Sequence, residues 1–134
     1  MAETMDHSIA VGKTFVWHEV YSPNSEASRD FYMKALGWGT KPMDMGPMGT
    51  YHMLTVDGTP VAGCMGTEGN PDMADVPPHW SIYIGVEDVD AKIETCVSLG
   101  AVVIVPVMDV PTVGRMALLK DPQGATFWLY KGEG

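Results

Sequence analysis

Apolar positions along the chain change their spacing several times, and each change marks an element. FVWHEVY, residues 15–21, is dense in aromatic and β-branched side chains and predicts a strand, because such side chains pack well on a pleated surface. Pro23, Asn24 and Ser25 then bring turn and N-cap chemistry. Ala27, Phe31 and Ala35 recur every four residues, which predicts a helix with these three as its buried stripe. Gly37, directly after Leu36, is the expected stop, since glycine takes the left-handed conformation that closes a helix. A short strand near Trp38–Pro42 follows, then a loop rich in glycine and methionine. TYHMLTV and PVAGCM come next as a hairpin closed by Asp57 and Gly58. The order is strand, helix, strand, strand, strand.

Residues 67–79, TEGNPDMADVPPH, combine three prolines, a glycine and three acidic residues with little to bury, and predict a linker. Beyond it the order repeats. SIYIGV is a strand, and Asp88 caps a helix with the stripe Val89, Ile93 and Cys96 or Val97. Gly100 ends that helix, and VVIVPVM, RMALL and ATFWLY supply three more strands, the last two joined by DPQG. An offset of 63 pairs Trp17 with Trp80, Leu36 with Leu99 and Gly37 with Gly100, while Asp57 and Asp121 match at 64. The chain therefore holds an internal repeat of about 52 residues. The expected domain is 15–131, with module one at 15–66, the linker at 67–79 and module two at 80–131; residues 1–14 and 132–134 are tails.

A helix packed on one face of a four-stranded sheet leaves the other face bare unless two such sheets curve toward each other. The fold expected is α+β: two βαβββ modules forming a curved eight-stranded mixed sheet around a cavity, with the helices outside. Val16, Val20, Ile82, Ile84 and Val86 have the parity that suits packing under a helix, and the opposite parity faces the cavity.

Composition narrows the function. The 134 residues include 17 acidic against 8 basic ones, a net charge of −9 that repels phosphate backbones and anionic membranes. No run approaches the 18 or more apolar residues of a spanning helix, and MAETMDHSIAVGKT lacks the regions of a signal peptide, so a cytoplasmic location is expected. Cys64 and Cys96 have no CxxC spacing and are read as buried free thiols. No GxSxG, Walker loop or dinucleotide fingerprint is present.

FVWHEVYSPNSEASRDFYMKALGW, GTPVAG, HWSIYIGVEDVDA, SLGA and KDPQGATFWLY together cover nearly all of Phe15–Tyr130, and their order resembles the vicinal oxygen chelate superfamily. Glyoxalase I, extradiol dioxygenases and the bleomycin resistance proteins belong to it, and the chain looks most similar to a branch described as related to lactoylglutathione lyase. The resemblance implies a metal held by His, Gln or Glu from the first and last strand of each module. Carried over, those positions fall on Trp17, Ala62 or Gly63, Ser81 (with Trp80 the alternative) and Trp128. An indole offers no usable lone pair to a divalent ion. No metal and no cofactor are expected.

Glu19 follows Trp17 by two on the same strand face, so it is a candidate general base or a partner for a cationic ligand; the alternative is a structural pair with Arg115 or a backbone amide. Tyr83 holds the matching place in module two as a candidate hydroxyl donor, two residues after Ser81. Trp17, Trp80, Trp128 and Tyr130 are candidates to line the cavity as flat apolar surface, or else ordinary core. Met43, Met45, Met48 and Met53 cluster around the glycine-rich loop, where flexible thioethers make an adaptable lid, with Met53 a ligand-binding candidate, or simply fill the loop. Arg115 is the fixed cation best placed to hold a carboxylate. His18 has helix-side parity, while His7 and His79 fall in tail and linker, so the histidines make no metal triad.

The reading is a metal-independent protein that binds a small aromatic or cationic molecule in the cavity between its modules. The alternative is a metal-free isomerase-like or lyase-like enzyme with Glu19 as base and Tyr83 or Arg115 stabilising an oxyanion. A metal-dependent lyase or dioxygenase ranks last. A homodimer is expected, since exposed sheet edges invite cover. Elemental analysis of purified protein should find no equivalent of zinc, nickel or iron; a full equivalent that disappears with a Glu19 substitution would overturn the metal-free reading.

Overall fold

The structure, a computed structural model, describes residues 14–45, 50–66 and 75–132; Met48, His7 and linker residues 67–74 lie outside them. The described elements are β1 (Phe15–Ser22), α1 (Ser25–Leu36), β2 (Gly39–Asp44), β3 (Thr50–Val56), β4 (Thr59–Gly66), β5 (His79–Gly85), α2 (Val89–Ser98), β6 (Val102–Val110), β7 (Gly114–Lys120) and β8 (Thr126–Gly132). This is βαβββ twice, the expected α+β order. The hydrogen-bonded order is β2-β3-β4-β1-β5-β8-β7-β6, a mixed sheet with β1·β4 and β5·β8 parallel and both hairpins antiparallel. No helix among the described residues is long and apolar enough to cross a membrane.

Local signals set the boundaries. The Asn24 and Asp88 carboxamide and carboxylate oxygens accept the N–H of Ala27 and Ala91, each at 3.0 Å, and so satisfy a helix-start donor. Gly37 closes α1 in the left-handed region, φ 72°. Asp57 and Gly58, φ 51° and 80°, make the tight hairpin turn in which both central residues need positive φ. In the second hairpin the Asp121 Oδ1 accepts the N–H of Gln123 and Ala125. The edge strands β2 and β6 carry Pro42 and Pro106, placed where a missing donor is tolerated and further strand addition is discouraged.

The chain divides into two compact units: His18–Ser81, and a second in which the start of β1, through Trp17, joins the chain from Ile82 onward. In the first unit α1 covers Val20, Leu54, Ala62 and Cys64, with Tyr32, Met33, Trp38 and Val61 packed around them. The expected stripe of Ala27, Phe31 and Ala35 is instead exposed, Phe31 by 61%. Polar contacts turn the helix about its axis: Ser28 meets Ser22 at 2.7 Å and the Arg29 Nη1 meets the His52 Nδ1 at 3.3 Å. Tyr32 and Met33 then face the sheet and bury more area than two alanines would. Trp38 leaves the predicted strand to join this core, and β2 starts one residue later.

In the second unit α2 covers Val89, Ala117, Leu119 and Leu129, with Ile93 and Cys96 in place as expected. Val97 is 47% exposed, so Cys96 completes the stripe. The offset of 63 fails in the first strands. Trp80 is on the α1 side of its strand, its Nε1 donating to the Tyr32 hydroxyl at 3.0 Å, whereas Trp17 packs on the face away from α2. The cause is a residue fewer between Asp88 and Gly100 than between Asn24 and Gly37, so the offset is 64 before the helix and 63 at its end. Ser81 is the true counterpart of Trp17. Removing either helix cap, Asn24→Ala or Asp88→Ala, should lower stability by about 1 kcal/mol in urea denaturation with an unchanged slope.

Candidate functional site

Because strands send alternate side chains to opposite faces, each unit has one face under its helix and one that no helix of the unit covers. On the helix-free face of the first unit, Glu19 of β1 stands beside Gly63 of β4, and Met53 of β3 stands beside Gly63 on its other side. Glu19 is buried, with 3% of its surface exposed. The Tyr51 hydroxyl, from β3, donates a hydrogen bond to its Oε2. That bond depends on Gly63: a Cβ there would overlap the Tyr51 hydroxyl and ring. The glycine is required here by close approach and not by backbone conformation. Close by, Tyr21 stacks on His79 with ring centres 5.2 Å apart.

The other face of β4 is inert. Ala62 and Cys64 belong to the core under α1, so Gly63 is the member of the Ala62–Gly63 pair that shares a face with Glu19. Burial pushes the Cys64 thiol up to about 11; the Arg29 charge partly offsets this and the Glu19 charge adds to it. A thiol held protonated at neutral pH is neither a nucleophile nor a metal ligand.

In the second unit the equivalent parallel pair is Tyr83 beside Trp128. Their rings stack with centres 5.3 Å apart and planes 5° from parallel, and Tyr130 meets Tyr83 edge-on at 6.1 Å. Met116, Trp17 and Leu118 pack against them. The Tyr130 hydroxyl donates to the Val113 carbonyl at 2.7 Å, and burial raises its phenol above the ordinary range.

The other expected site residues divide between the two faces. Ser81 is buried and shares the parity of Tyr83. Trp80 does not: with His18, Trp38, Val56, Val61 and Ala62 it lines an apolar recess of about 470 Å³ on the α1 side, where His18 was expected. Arg115 is also corrected. It has the parity of Ala117 and Leu119, and its guanidinium is bidentate to Asp90, at 2.9 and 2.9 Å, and bonded to Asp109 at 2.8 Å. Asp90 and Asp109, of the same unit, hold the cation; Asp90 is lowered and Arg115 raised by their hydrogen bonds. Tyr51 was not anticipated. Its signal was a tyrosine two residues before Met53 in a strand whose tight turn sets Met53 opposite a glycine.

In the first unit Gly63 and Ser81 offer no side chain and a hydroxyl, and in the second Trp17 and Trp128 offer indoles; neither pair fits a divalent ion. Among the described residues, no three His, Cys, Asp or Glu side chains are grouped to hold one.

A model of the Glyoxalase/Bleomycin resistance protein/Dioxygenase superfamily matches residues 14–129. CFP32 of Mycobacterium tuberculosis, which carries a glyoxylase name, is 35% identical over 118 residues, 88% of this chain and 44% of its own length. The anthracycline biosynthesis protein DnrV of Streptomyces peucetius is 32% identical over 126 residues, covering 86% of this chain and 46% of that protein. The chain thus spans less than half the length of these relatives. Among solved structures, the methylmalonyl-CoA epimerase of Mycobacterium tuberculosis superposes with a TM-score of 0.61 at 15% identity, covering 88% of this chain and 87% of that one. That likeness concerns the fold.

The Tyr51–Gly63–Glu19 geometry has a direct test. Gly63→Ala should destabilise the protein by roughly 1–3 kcal/mol, and a Tyr51→Ala background should relieve most of that cost in a double-mutant cycle. Fully additive costs would contradict the proposed approach of Tyr51 across Gly63.

Proposed function

This chain belongs to the glyoxalase, bleomycin resistance protein and dioxygenase superfamily, and from that premise we propose that it binds a small aromatic or cationic molecule, without a metal, on the helix-free face that carries Glu19. The observation that carries the reading is the Glu19 carboxylate, buried to 3% exposure and oriented by the Tyr51 phenol. A carboxylate kept in a poorly solvated wall attracts a cation more strongly than one in water, and a fixed orientation lowers the entropy lost on binding. The overall charge of −9 draws cations toward the protein. Aromatic side chains such as Tyr21, stacked on His79, add flat surface in the same unit. The name of DnrV, in anthracycline biosynthesis, supports a planar ligand. The ligand need not be an anthracycline for the chemistry to hold.

A second reading rests on the same contact. A carboxylate bonded to a phenol places a base and a proton donor together, so Glu19 could take a proton from a carbon next to a carbonyl, leave an enolate, and return the proton. Arg115 has no part in it, being held by Asp90 and Asp109. Deuterium entering C2 of methylmalonyl-CoA in heavy water, and lost in Glu19→Gln, would favour this reading over simple binding.

Daunorubicin, a flat quinone with a protonated amino sugar, is a suitable probe for the binding reading. It should quench the protein's tryptophan fluorescence on titration. Glu19→Gln should weaken it by about 1–3 kcal/mol while leaving the melting temperature nearly unchanged, because a charge-assisted contact is lost and the shape is kept. A sharp drop in melting temperature with affinity unchanged would make Glu19 a structural partner only and refute the proposal.

A further inference from the structure

The recess on the α1 side of the first unit plays no part in the reading above. It holds about 470 Å³, within the usual range of small-molecule pockets, and is lined by His18 of β1, Trp38 after α1, Val56 of β3, Val61 and Ala62 of β4 and Trp80 of β5. All of these belong to the one compact unit His18–Ser81. The two indoles are held by a single ring. Tyr32 of α1 stacks on Trp38 with ring centres 6.1 Å apart and planes at 23°, and it meets Trp80 edge-on at 5.2 Å. The Trp80 Nε1 also donates to the Tyr32 hydroxyl at 3.0 Å, which fixes the plane of that indole. Trp80 therefore stays 43% exposed at the recess, and Val56 stays 40% exposed. Apolar walls held in place and in water gain from any molecule that covers them without losing its own hydration.

Charge decides which molecule that is. Of the described residues that line the recess, none carries a fixed charge. An ammonium or carboxylate brought there would give up water without an opposite charge to meet it, and the attraction of a cation to so exposed a ring offsets little of that cost. A neutral molecule has no such cost, and ring walls favour a flat one. The half-buried His18 imidazole supplies one polar contact, as donor or acceptor.

We infer that this recess is a second binding site, for a neutral flat aromatic molecule with one hydroxyl or ring heteroatom, walled by Trp38 and Trp80 and met by His18. It is separate from the Glu19 face. His18 and Glu19 are consecutive in β1, and Ala62 and Gly63 are consecutive in β4, so alternate side chains of the same strands serve opposite faces and both ligands are held at once. The inference goes beyond the cation reading and does not rest on it: one face selects by charge and the other by the lack of it.

The probe is 2-naphthol, with naphthalene as the same rings lacking the hydroxyl and 2-naphthylmethylammonium as the same rings carrying a cation. In protein labelled with ¹⁵N at the indoles, the Trp38 and Trp80 resonances are those missing from Trp38→Phe and Trp80→Phe. Both should move with 2-naphthol and stay nearly in place with the ammonium. Trp80→Ala should weaken 2-naphthol and naphthalene alike, each about tenfold, whereas His18→Leu should weaken 2-naphthol about tenfold and leave naphthalene unchanged. The wild-type spectra decide the matter even if the leucine or alanine variant folds poorly. Resonances unmoved at millimolar 2-naphthol, or moved equally by the ammonium, would overturn the inference. Resonances that move with protein concentration alone would give the recess to a second copy of the chain and overturn it too, as would displacement of 2-naphthol by daunorubicin. Daunorubicin bound at Glu19 with the recess silent defeats this inference alone, while 2-naphthol bound and daunorubicin refused defeats the earlier reading and leaves this one standing.

Discussion

Every assignment of a side chain in this protein follows from the two-residue alternation of its strands. A helix lies across one face of each unit, so alternate residues enter a helix-covered core and the rest meet a face with no helix on it. Glu19 falls on one side and Val20 on the other; Trp128 and Leu129 divide in the same way. A shift of one residue would put a carboxylate under α1 and a valine in its place. The hairpin turns prevent that shift. Asp57 and Gly58 set β3 against β4, and Asp121 with its backbone hydrogen bonds sets β7 against β8.

The two copies of the repeat differ at the paired positions of their first and last strands. Glu19 beside Gly63 and Tyr83 beside Trp128 are equivalent parallel pairs with opposite solutions. In one, the strand partner has no side chain, and a phenol from β3 uses the space to reach a carboxylate. In the other, the strand partner is the largest side chain available, and the first-strand residue stacks on it. The first arrangement fixes an acceptor in poorly solvated surroundings and the second fixes a donor. Charges that play no part in these faces are kept outside them. Arg115 is tied to Asp90 and Asp109 in exposed pairs that add little stability.

Much of this was legible in the sequence because it depends on local chemistry. Caps at Asn24 and Asp88, stops at Gly37 and Gly100, and turns at Asp57–Gly58 and DPQG act within a few residues of themselves, so element order and the repeat could be read directly. What escaped was set by contacts between distant positions. The rotation of α1 follows from Ser22–Ser28 and Arg29–His52, and neither contact leaves a trace in apolar spacing. The Tyr51–Glu19 bond required the register across β1, β4 and β3 together. Arg115 is a different case: its parity with Ala117 and Leu119 was visible and places it under α2, but its charge suggested a partner on the other face. The pairing of Trp17 with Trp80 failed because one residue fewer between the second helix's caps changes the offset across the repeat.

The central claim is that a ligand meets the helix-free face at Glu19, and a crystal structure with daunorubicin bound tests it most directly. The account predicts the ligand's ammonium about 3 Å from a Glu19 carboxylate oxygen, with the Tyr51 hydrogen bond intact. A ligand lodged instead in the α1-side recess between Trp38 and Trp80, with Glu19 untouched, would contradict it.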